Sequence, residues 1–401
     1  MTLTTDYRTQ KLQQFTIRAA NSSQAEQHAR AAWAIWNKGK TWEQFWEIFQ
    51  MEINEAEWGK EALVCWVLVR LDDPEGDIYA GCKTFRRNGW VKHRGADDIE
   101  KGYVYDVTYV VTPKQHLRNG YANRLLSLLH RHLGLEANLP PVPESWGKDQ
   151  PALPLSPEVA SRVPKAIGSY LWSDIGSTFY SRCSIGENRP GWVVEEPSIT
   201  ELVWKIHPST LSIEEPLEWL YVDDLKAVAE ELHVRQQKRL QEANTSERSL
   251  FLADPATPGS LGYLTIKGSW STPTDMSLPA GLRIKSSSDN SSDDAIILFT
   301  LHCSIIAPRF LIRFVSNLSP AQLPVALSAF DYIATKAGHT EGCVWGLTEE
   351  KELVEAWKAQ PGREVTIGRR PELDGHMLGV AWYGKEEDNG GLLDTQMWGW
   401  Q

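Results

Sequence analysis

The segment from Tyr103 to Leu133 limits what this chain can fold into more than any other. It opens with an apolar run, Tyr103 to Val111, of the residue types that fill buried strands. A polar loop follows, and then a helix with Leu125, Leu126, Leu129 and Leu133 on one side. Gly120 and Ala122 are small where a ligand would need to approach the backbone closely. A strand, loop and helix start in this order offers unpaired N–H groups and the positive end of a helix dipole to a phosphate. No Gly-Lys-Ser/Thr follows, and no Gly-x-Gly-x-x-Gly is present. The expected ligand is therefore a pyrophosphate that is bound and not cleaved.

Composition narrows the class. At 401 residues the chain is too long for one ordinary core, so two domains are expected. A hydrophobic content of 42% with 23% charged residues is that of a soluble globular protein. No apolar run is long enough to span a membrane and the N-terminus lacks a signal peptide's apolar block, so a cytoplasmic protein is expected. Cys65, Cys82, Cys183, Cys303 and Cys343 are scattered, with neither zinc spacing nor a disulfide framework, so no metal is expected. A net charge of −11 argues against a nucleic-acid partner and is compatible with cationic substrates. Of the 18 tryptophans, Trp33, Trp36, Trp42 and Trp46 cluster in the first helical region, where they fill a core or wall a pocket.

Leu117-Arg-Asn-Gly120-Tyr-Ala122 resembles the coenzyme A loop of the GNAT acyltransferase superfamily, whose pattern is Arg/Gln-x-x-Gly-x-Gly/Ala. Leu117 stands where Arg or Gln is usual, and Arg118 comes one place late. Tyr170-Leu-Trp-Ser-Asp-Ile-Gly-Ser-Thr-Phe-Tyr-Ser-Arg-Cys183, which reads as a short strand followed by a helix, is similar to a second landmark of that superfamily. There Ser173 takes an Asn place, Gly176 an Ala place, Phe179-Tyr180 match, and Trp192 replaces the usual Gly-Phe. Together with Asp77 to Arg87 and the long C-terminal half, these segments resemble fungal lysine N6-acetyltransferases, which acetylate the side-chain amine of free lysine.

The resemblance implies an α/β (α+β) GNAT fold with a mixed twisted sheet, followed by a second, degenerate GNAT-like domain. The expected boundaries are 1–210 for the acyltransferase domain, 211–245 for a bridging segment whose long helix runs from Glu218 to about Asn244, and 246–401 for the C-terminal domain. A Pro-rich insertion, Leu139 to Pro164, would be a lid or a surface excursion. In the second half, Leu261 to Ile266 and Phe310 to Val315 read as strands, and Ser319-Pro320 opens a helix that Gly338 closes. That helix start lacks the Gly-x-Ala element, and Pro320 removes an N–H, so one active site per chain is expected.

The same resemblance implies acetyl-CoA as acyl donor and a small-molecule amine as acceptor, with direct transfer in a ternary complex. The fourth and fifth strands would part near Tyr109, Val110 and Val111, whose backbone groups would hold the pantetheine arm. Arg118, Asn119, Gly120, Tyr121, Ala122 and Asn123 would meet the coenzyme phosphates, and Ser173 would contact the coenzyme from the second landmark. Lys114 and His116 are further phosphate candidates, or solvated loop residues. Tyr180 would give a proton to the leaving thiolate. Asp106 reads equally as the base or as a structural ion-pair partner, because a one-residue change of register turns it away. The terminal carboxylate at Gln401 is another candidate base, with Trp398 and Trp400 anchoring the tail. His130 and His132 read as surface residues. Two other readings stay open: a GNAT acyltransferase for another amine or acyl donor, as in fungal secondary metabolism, and a catalytically silent GNAT-fold binding protein.

Overall fold

The computed structural model describes residues 11–147, 152–209, 217–271, 277–286, 293–301, 309–347 and 350–400. In chain order it begins β1 (Phe15–Ala19), α1 (Ser22–Trp36), α2 (Trp42–Asn54), β2 (Leu63–Arg70), β3 (Ala80–Lys92), β4 (Ile99–Val111), α3 (Tyr121–Leu133), α4 (Pro157–Arg162) and β5 (Gly168–Ile175). It continues through β6 (Val193–Val194), β7 (Thr200–Lys205), β8 (Leu217–Leu220), α5 (Leu225–Glu242), β9 (Leu250–Ala253), α6 (Tyr263–Ser271), β10 (Gly281–Ile284) and β11 (Ala295–Thr300). It ends with β12 (Phe310–Ser316), α7 (Leu323–Lys336), β13 (Glu341–Trp345), α8 (Lys351–Lys358), β14 (Thr366–Arg369), β15 (Leu373–Trp382) and β16 (Gly391–Leu392).

These elements form two compact units. Unit 1 takes the chain up to Val194 with Arg239–Asp254 and Glu372–Leu393, and unit 2 takes Glu195–Lys238, Pro255–Pro371 and the segment from Asp394. The contiguous boundaries expected at 210 and 245 do not coincide with this interleaving, because β9, β15 and β16 return to complete the first sheet. Each unit has one sheet. In unit 1 the order is β1-β2-β3-β4-β5-β15-β6, with β9 joining β3 to β16; in unit 2 it is β14-β7-β13-β12-β11-β10-β8. Both sheets are mixed: β4 and β5 run parallel in the first, and β12 and β13 in the second. The mixed α/β architecture expected from the sequence is the one observed.

Local chemistry explains the helix starts. Asn21 caps α1 by accepting from the Gln24 N–H at 2.9 Å, while the Gln24 side chain accepts from the Asn21 N–H at 3.2 Å. Thr41 and Gln44 repeat that reciprocal box at α2. Each such cap stabilises its helix by about 1 kcal/mol. The α3 face buries Leu125, Leu126, Leu128, Leu129 and Leu133 against Trp66, Cys82, Tyr105, Val107 and Leu171 of the sheet. In unit 2, α7 does the same with Leu323, Leu327, Phe330 and Ile333 against Trp204, Phe299, Phe310 and Val344. No described helix is long and apolar enough to cross a membrane.

Four local expectations are corrected. Leu261 to Ile266, read as a strand, is a two-residue turn followed by the start of α6 at Tyr263, and the Leu261 carbonyl accepts from Arg313 Nη2 at 2.5 Å. The long helix expected from Glu218 begins at Leu225, because residues 217–220 pair with β10 and Asp224 accepts from the Tyr221 N–H at 2.7 Å. The helix expected after β5 is a single 3-10 turn at Tyr180–Arg182. In unit 2 the helix opens at Leu323, with Pro324 rather than Pro320 in its first turn. The Pro-rich stretch is tied to unit 1 where it is described: Arg131 donates to the Pro140 carbonyl at 2.9 Å, Arg124 to that of Trp146 at 2.9 Å, and the Tyr105 hydroxyl to that of Pro164 at 2.8 Å. Residues 148–151 of that stretch lie outside the described chain.

Candidate functional site

β4 and β5 are paired only at Val104↔Gly168, Tyr105↔Ser169 and Asp106↔Tyr170. Beyond that point β4 runs on to Val111 and β5 to Ile175 without pairing to each other. At ~3.3 Å per residue, the parted edges are about 16 Å long. The parting coincides with a bulge. On β3, Gly81 pairs Val111 and Lys83 pairs Thr108, so Tyr109 and Val110 together oppose Cys82. A bulge of this kind takes backbone groups out of the ladder and bends the strand.

Tyr109 pivots this bulge at φ +53. Its carbonyl lies 2.9 Å from His28 Nε2 of α1, and because a carbonyl only accepts, that nitrogen carries the proton. Gly81 makes the approach possible, since a Cβ there would sit 2.5 Å from the His28 ring. Burial lowers the His28 pKa to about 4, against the opposing Tyr109 bond, so the ring is neutral. The Tyr109 ring lies 4.6 Å from Lys83 Nζ and edge-on to Trp36 at 5.5 Å. Burial pushes its hydroxyl up to about 12.

Below Tyr109 lies a layer of buried charge. Lys83 Nζ donates to Glu52 at 2.5 Å, both side chains are buried, and the ammonium sits 3.7 Å from the Phe49 ring centroid. Asp106 is fully buried and faces away from Tyr105 and Val107, whose side chains join the α3 core. Because Asp106 pairs Phe85 across β3, its diagonal neighbours on the same face are Lys83 and Arg87, both also buried. Asp106 is thus placed among buried cations at the point where the two strands part. On α1 and α2 the tryptophans form a half-buried ladder: Trp42 stacks on Trp46 at 5.5 Å, Trp46 stacks on Phe49 at 5.5 Å, and Trp33 meets Trp42 edge-on at 6.3 Å.

The loop after β4 is built for backbone exposure. Arg118 and Gly120 have φ of +63 and +82. Asn119 Nδ2 donates to the His116 and Leu117 carbonyls, both at 3.1 Å, which folds the loop back on itself. Gly120 is the N-cap of α3 and offers no side-chain cap to the first-turn N–H groups of Tyr121, Ala122 and Asn123. Lys114, Arg118, Asn119 and Gly120 are exposed. The Tyr121 ring turns inward against Phe15 and Tyr79, at 4.8 and 5.2 Å, and His116 tilts onto Tyr79 at 4.5 Å. The Asn123 side chain donates to the Arg182 carbonyl at 2.9 Å, which brings an exposed arginine that the sequence reading passed over beside the helix start.

The second landmark closes the end of β5. Ser173 is buried, and its hydroxyl donates to the Gly176 carbonyl at 2.7 Å, so it serves the turn. Gly176 has φ +91, and Glu372 presses on it while accepting from the Ser177 N–H at 2.7 Å. Tyr180 is buried, edge-on to Phe179 at 5.0 Å, and its carbonyl accepts from the Trp192 N–H at 3.2 Å. Burial first, then Cys183, Asp174 and Cys82, hold the Tyr180 hydroxyl well above its ordinary value, so it keeps its proton.

His130 and His132 correct the surface expectation. Both are buried: His130 shares its helix face with Leu126 and Leu133, and His132 stacks on Trp66 at 5.0 Å. His130 Nε2 lies 3.0 Å from the Cys183 carbonyl and therefore carries the proton; Nδ1 then accepts from the Tyr383 hydroxyl at 2.8 Å. Tyr383 in turn accepts from Ser169 Oγ at 2.8 Å, and Ser169 accepts from Trp192 Nε1 at 2.9 Å. This directed chain ties α3, β5, β15 and the Tyr180 turn together. Burial lowers His130 to about 3 and His132 to about 4.

Gln401 lies outside the described residues. The tail before it packs in unit 2, where Trp398 Nε1 donates to Asp394 at 2.7 Å and Trp400 lies 5.9 Å from Trp345.

No protein-family model matches the chain, and no curated protein is significantly similar to it in sequence. Among solved structures, it resembles a conserved protein from Enterococcus faecalis V583, with 11% identity over 93% of this chain and 74% of that one at a TM-score of 0.49. It also resembles a GCN5-related N-acetyltransferase from Anabaena variabilis, with 13% identity, 91% and 72% coverage and a TM-score of 0.47. Saccharomyces cerevisiae N-myristoyltransferase is similar at 10% identity, 94% and 82% coverage and a TM-score of 0.43. All three are distant likenesses.

Proposed function

We propose that unit 1 is a GNAT N-acyltransferase that moves acetyl from acetyl-CoA to the amine of a small molecule, the side-chain amine of free lysine being the leading acceptor. One observation carries this reading. Two parallel strands part after Asp106, β4 is bulged at Tyr109, and a loop with two left-handed residues and a helix without a side-chain cap follow. The parted edges suit an extended arm laid between them as an added strand. The N–H groups of Tyr121, Ala122 and Asn123 suit a diphosphate, with Arg118, Lys114 and Arg182 supplying charge. A backbone N–H of the Tyr109–Val111 segment would polarise the thioester carbonyl. Tyr180, protonated and at the end of β5, would give its proton to the departing thiolate. Unit 2 would be the degenerate second copy, without a coenzyme site of its own.

The test follows thiol release from acetyl-CoA with lysine and a panel of amines. Release with lysine, falling about a hundredfold in kcat for Tyr180→Phe at unchanged KM for acetyl-CoA, is the expected result. Release with a different amine would keep the reaction and replace the acceptor. Coenzyme binding without turnover on any amine would refute the reading.

A further inference from the structure

The bulge at Tyr109 is held by a side chain that takes no part in the chemistry proposed above. Tyr109 sits at φ +53, in the left-handed region that a bulky aromatic residue rarely occupies. Strain of this kind persists only where the surroundings enforce it, and it gathers at functional sites. Here the enforcing group is His28 of α1, which is fully buried and donates from Nε2 to the Tyr109 carbonyl at 2.9 Å. Its other nitrogen, Nδ1, is also buried and meets no hydrogen-bond partner among the described residues, so the bond this ring makes goes to the bulge. Burying an imidazole with half its polar capacity unmet costs stability. Packing alone would favour an apolar residue of the same size.

The neighbours of the ring fix its place and its protonation. Gly81 on β3 opens the space: a Cβ there would lie 2.5, 3.1 and 3.3 Å from Cδ2, Cγ and Nε2 of the imidazole. Phe49 of α2 meets the ring edge-on at 6.1 Å. Burial first, and then the Lys83 ammonium, keep the imidazole neutral, so Nε2–H is its single donor. The Tyr109 side chain is pinned separately, edge-on to Trp36 at 5.5 Å and with its ring 4.6 Å from Lys83 Nζ. Because the carbonyl and N–H of a trans peptide point in opposite directions, the bond at the Tyr109 carbonyl also sets the direction of the Val110 N–H. That peptide belongs to the stretch of β4 that β5 no longer pairs.

We infer that His28 is a positioning residue for acyl transfer, holding the bulged Tyr109–Val110 peptide in the direction that the thioester carbonyl requires. The inference rests on the acyltransfer reading of unit 1. His28 touches neither coenzyme nor amine in this role and acts through the peptide it holds. Negative charge gathers on the thioester oxygen in the transition state, and a backbone donor fixed beforehand stabilises it without having to turn. A bulge released from His28 would swing its peptide away, since an L residue at positive φ gains by leaving that region. The coenzyme phosphates, by contrast, would meet the start of α3 around Gly120, a separate segment. Loss of the His28 bond therefore lowers the rate of transfer and leaves coenzyme affinity as it is.

The test uses the full chain with His28→Leu, His28→Gln and Gly81→Ala, each checked by thermal melting. Leucine fills a similar volume without a donor, and kcat with the best amine should fall about thirtyfold, with the calorimetric Kd for coenzyme A unchanged. Glutamine brings an N–H to the same carbonyl and should recover to within about fivefold of the natural rate. Gly81→Ala keeps the imidazole but drives it from its place, so kcat should fall about tenfold, again at unchanged Kd. A kcat within about twofold of the natural enzyme in His28→Leu, or in Gly81→Ala where His28→Leu does not fold, would overturn the role of His28 and leave the acyltransfer reading standing. Equal losses in His28→Leu and His28→Gln would also overturn it, as would a loss that only follows weakened coenzyme binding. A natural protein that releases no thiol with any amine would remove the acyltransfer reading, and this inference with it.

Discussion

Among the described residues two pairs of parallel strands part, and they are finished in opposite ways. In unit 1, β4 and β5 separate after Asp106 and Tyr170, and a bulge at Tyr109 turns backbone groups out of the ladder. In unit 2, β12 and β13 pair at Phe310↔Gly342, Leu311↔Cys343 and Ile312↔Val344, and β12 then runs on to Ser316 paired only to β11. There the chain's own tail fills the place. Gln396 accepts from the Val315 N–H at 2.7 Å and donates to its carbonyl at 3.1 Å, as a partner strand would. Trp398 packs edge-on to Phe314 at 6.1 Å. The helices that follow differ in the same sense. α3 starts on Gly120 without a side-chain cap, whereas the turn before α7 is closed by Ser319 and Gln322 bonding each other, with Pro324 removing an N–H. In unit 1 the parted strands thus lead to a helix start without a side-chain cap, whereas in unit 2 Gln396 bonds the strand that has parted.

The largest effect that would break this comparison is expected at Gly120. A β-branched residue at φ +82 is a severe outlier, and its Cβ would press on Leu12 at 3.3 Å. Gly120→Val should weaken acetyl-CoA binding by about tenfold to a hundredfold in calorimetry, as the loop gives up the geometry that presents its N–H groups. Asn317 holds a left-handed position just after β12 in unit 2, at φ +57, so Asn317→Val should leave coenzyme affinity unchanged while lowering stability. Equal losses of affinity from the two variants would show that unit 2 also binds the coenzyme.

Next in size is the tail. Gln396→Ala strands the N–H and carbonyl of Val315, both buried, which should destabilise unit 2 by about 2 kcal/mol, read from chemical denaturation. Coenzyme stoichiometry should stay at one per chain, because Pro324 still removes an N–H from the first turn of α7. A second binding event in this variant would mean that the tail alone keeps the second cleft shut.

How much of this was legible in the sequence follows from the range of each signal. The strand, loop and helix around Gly120 depend on neighbours within one segment, and the leucine spacing and small residues showed them directly. His130 was within reach as well, since it falls on the same helical face as Leu126 and Leu133; treating it as a surface residue ignored that spacing. The 3-10 turn at Tyr180 and the helix α6 were misread because tertiary contacts, with Trp192 and Arg313, overrode local preference. Gln396 and Glu52 carried no local signal at all, because each bonds a partner far along the chain, Val315 and Lys83.

The smallest expected effect separates the two units by acid. His130 titrates near 6.5 in an unfolded chain and at about 3 in the folded one, so the unfolded state binds the extra proton between those values. Its contribution to stability is complete above pH 6.5 and is lost as pH falls through the window toward 3. His28 and His132, each lowered to about 4, act with the same sign, and all three belong to unit 1. Each fully titrating group gives a slope of at most ~1.4 kcal/mol per pH unit. Between neutral pH and about pH 5, hydrogen exchange corrected for its intrinsic rate should therefore speed up in α3 relative to α7. His130→Gln cannot titrate and should show a shallower acid dependence in α3, at the expense of lower stability near neutrality, because the Tyr383 hydroxyl and Cys183 carbonyl lose an imidazole of the right shape. An unchanged ratio of α3 to α7 protection across that range would mean that the buried histidines do not hold the open cleft's framework together. The rigidity of unit 1 would then have to come from the leucine core alone.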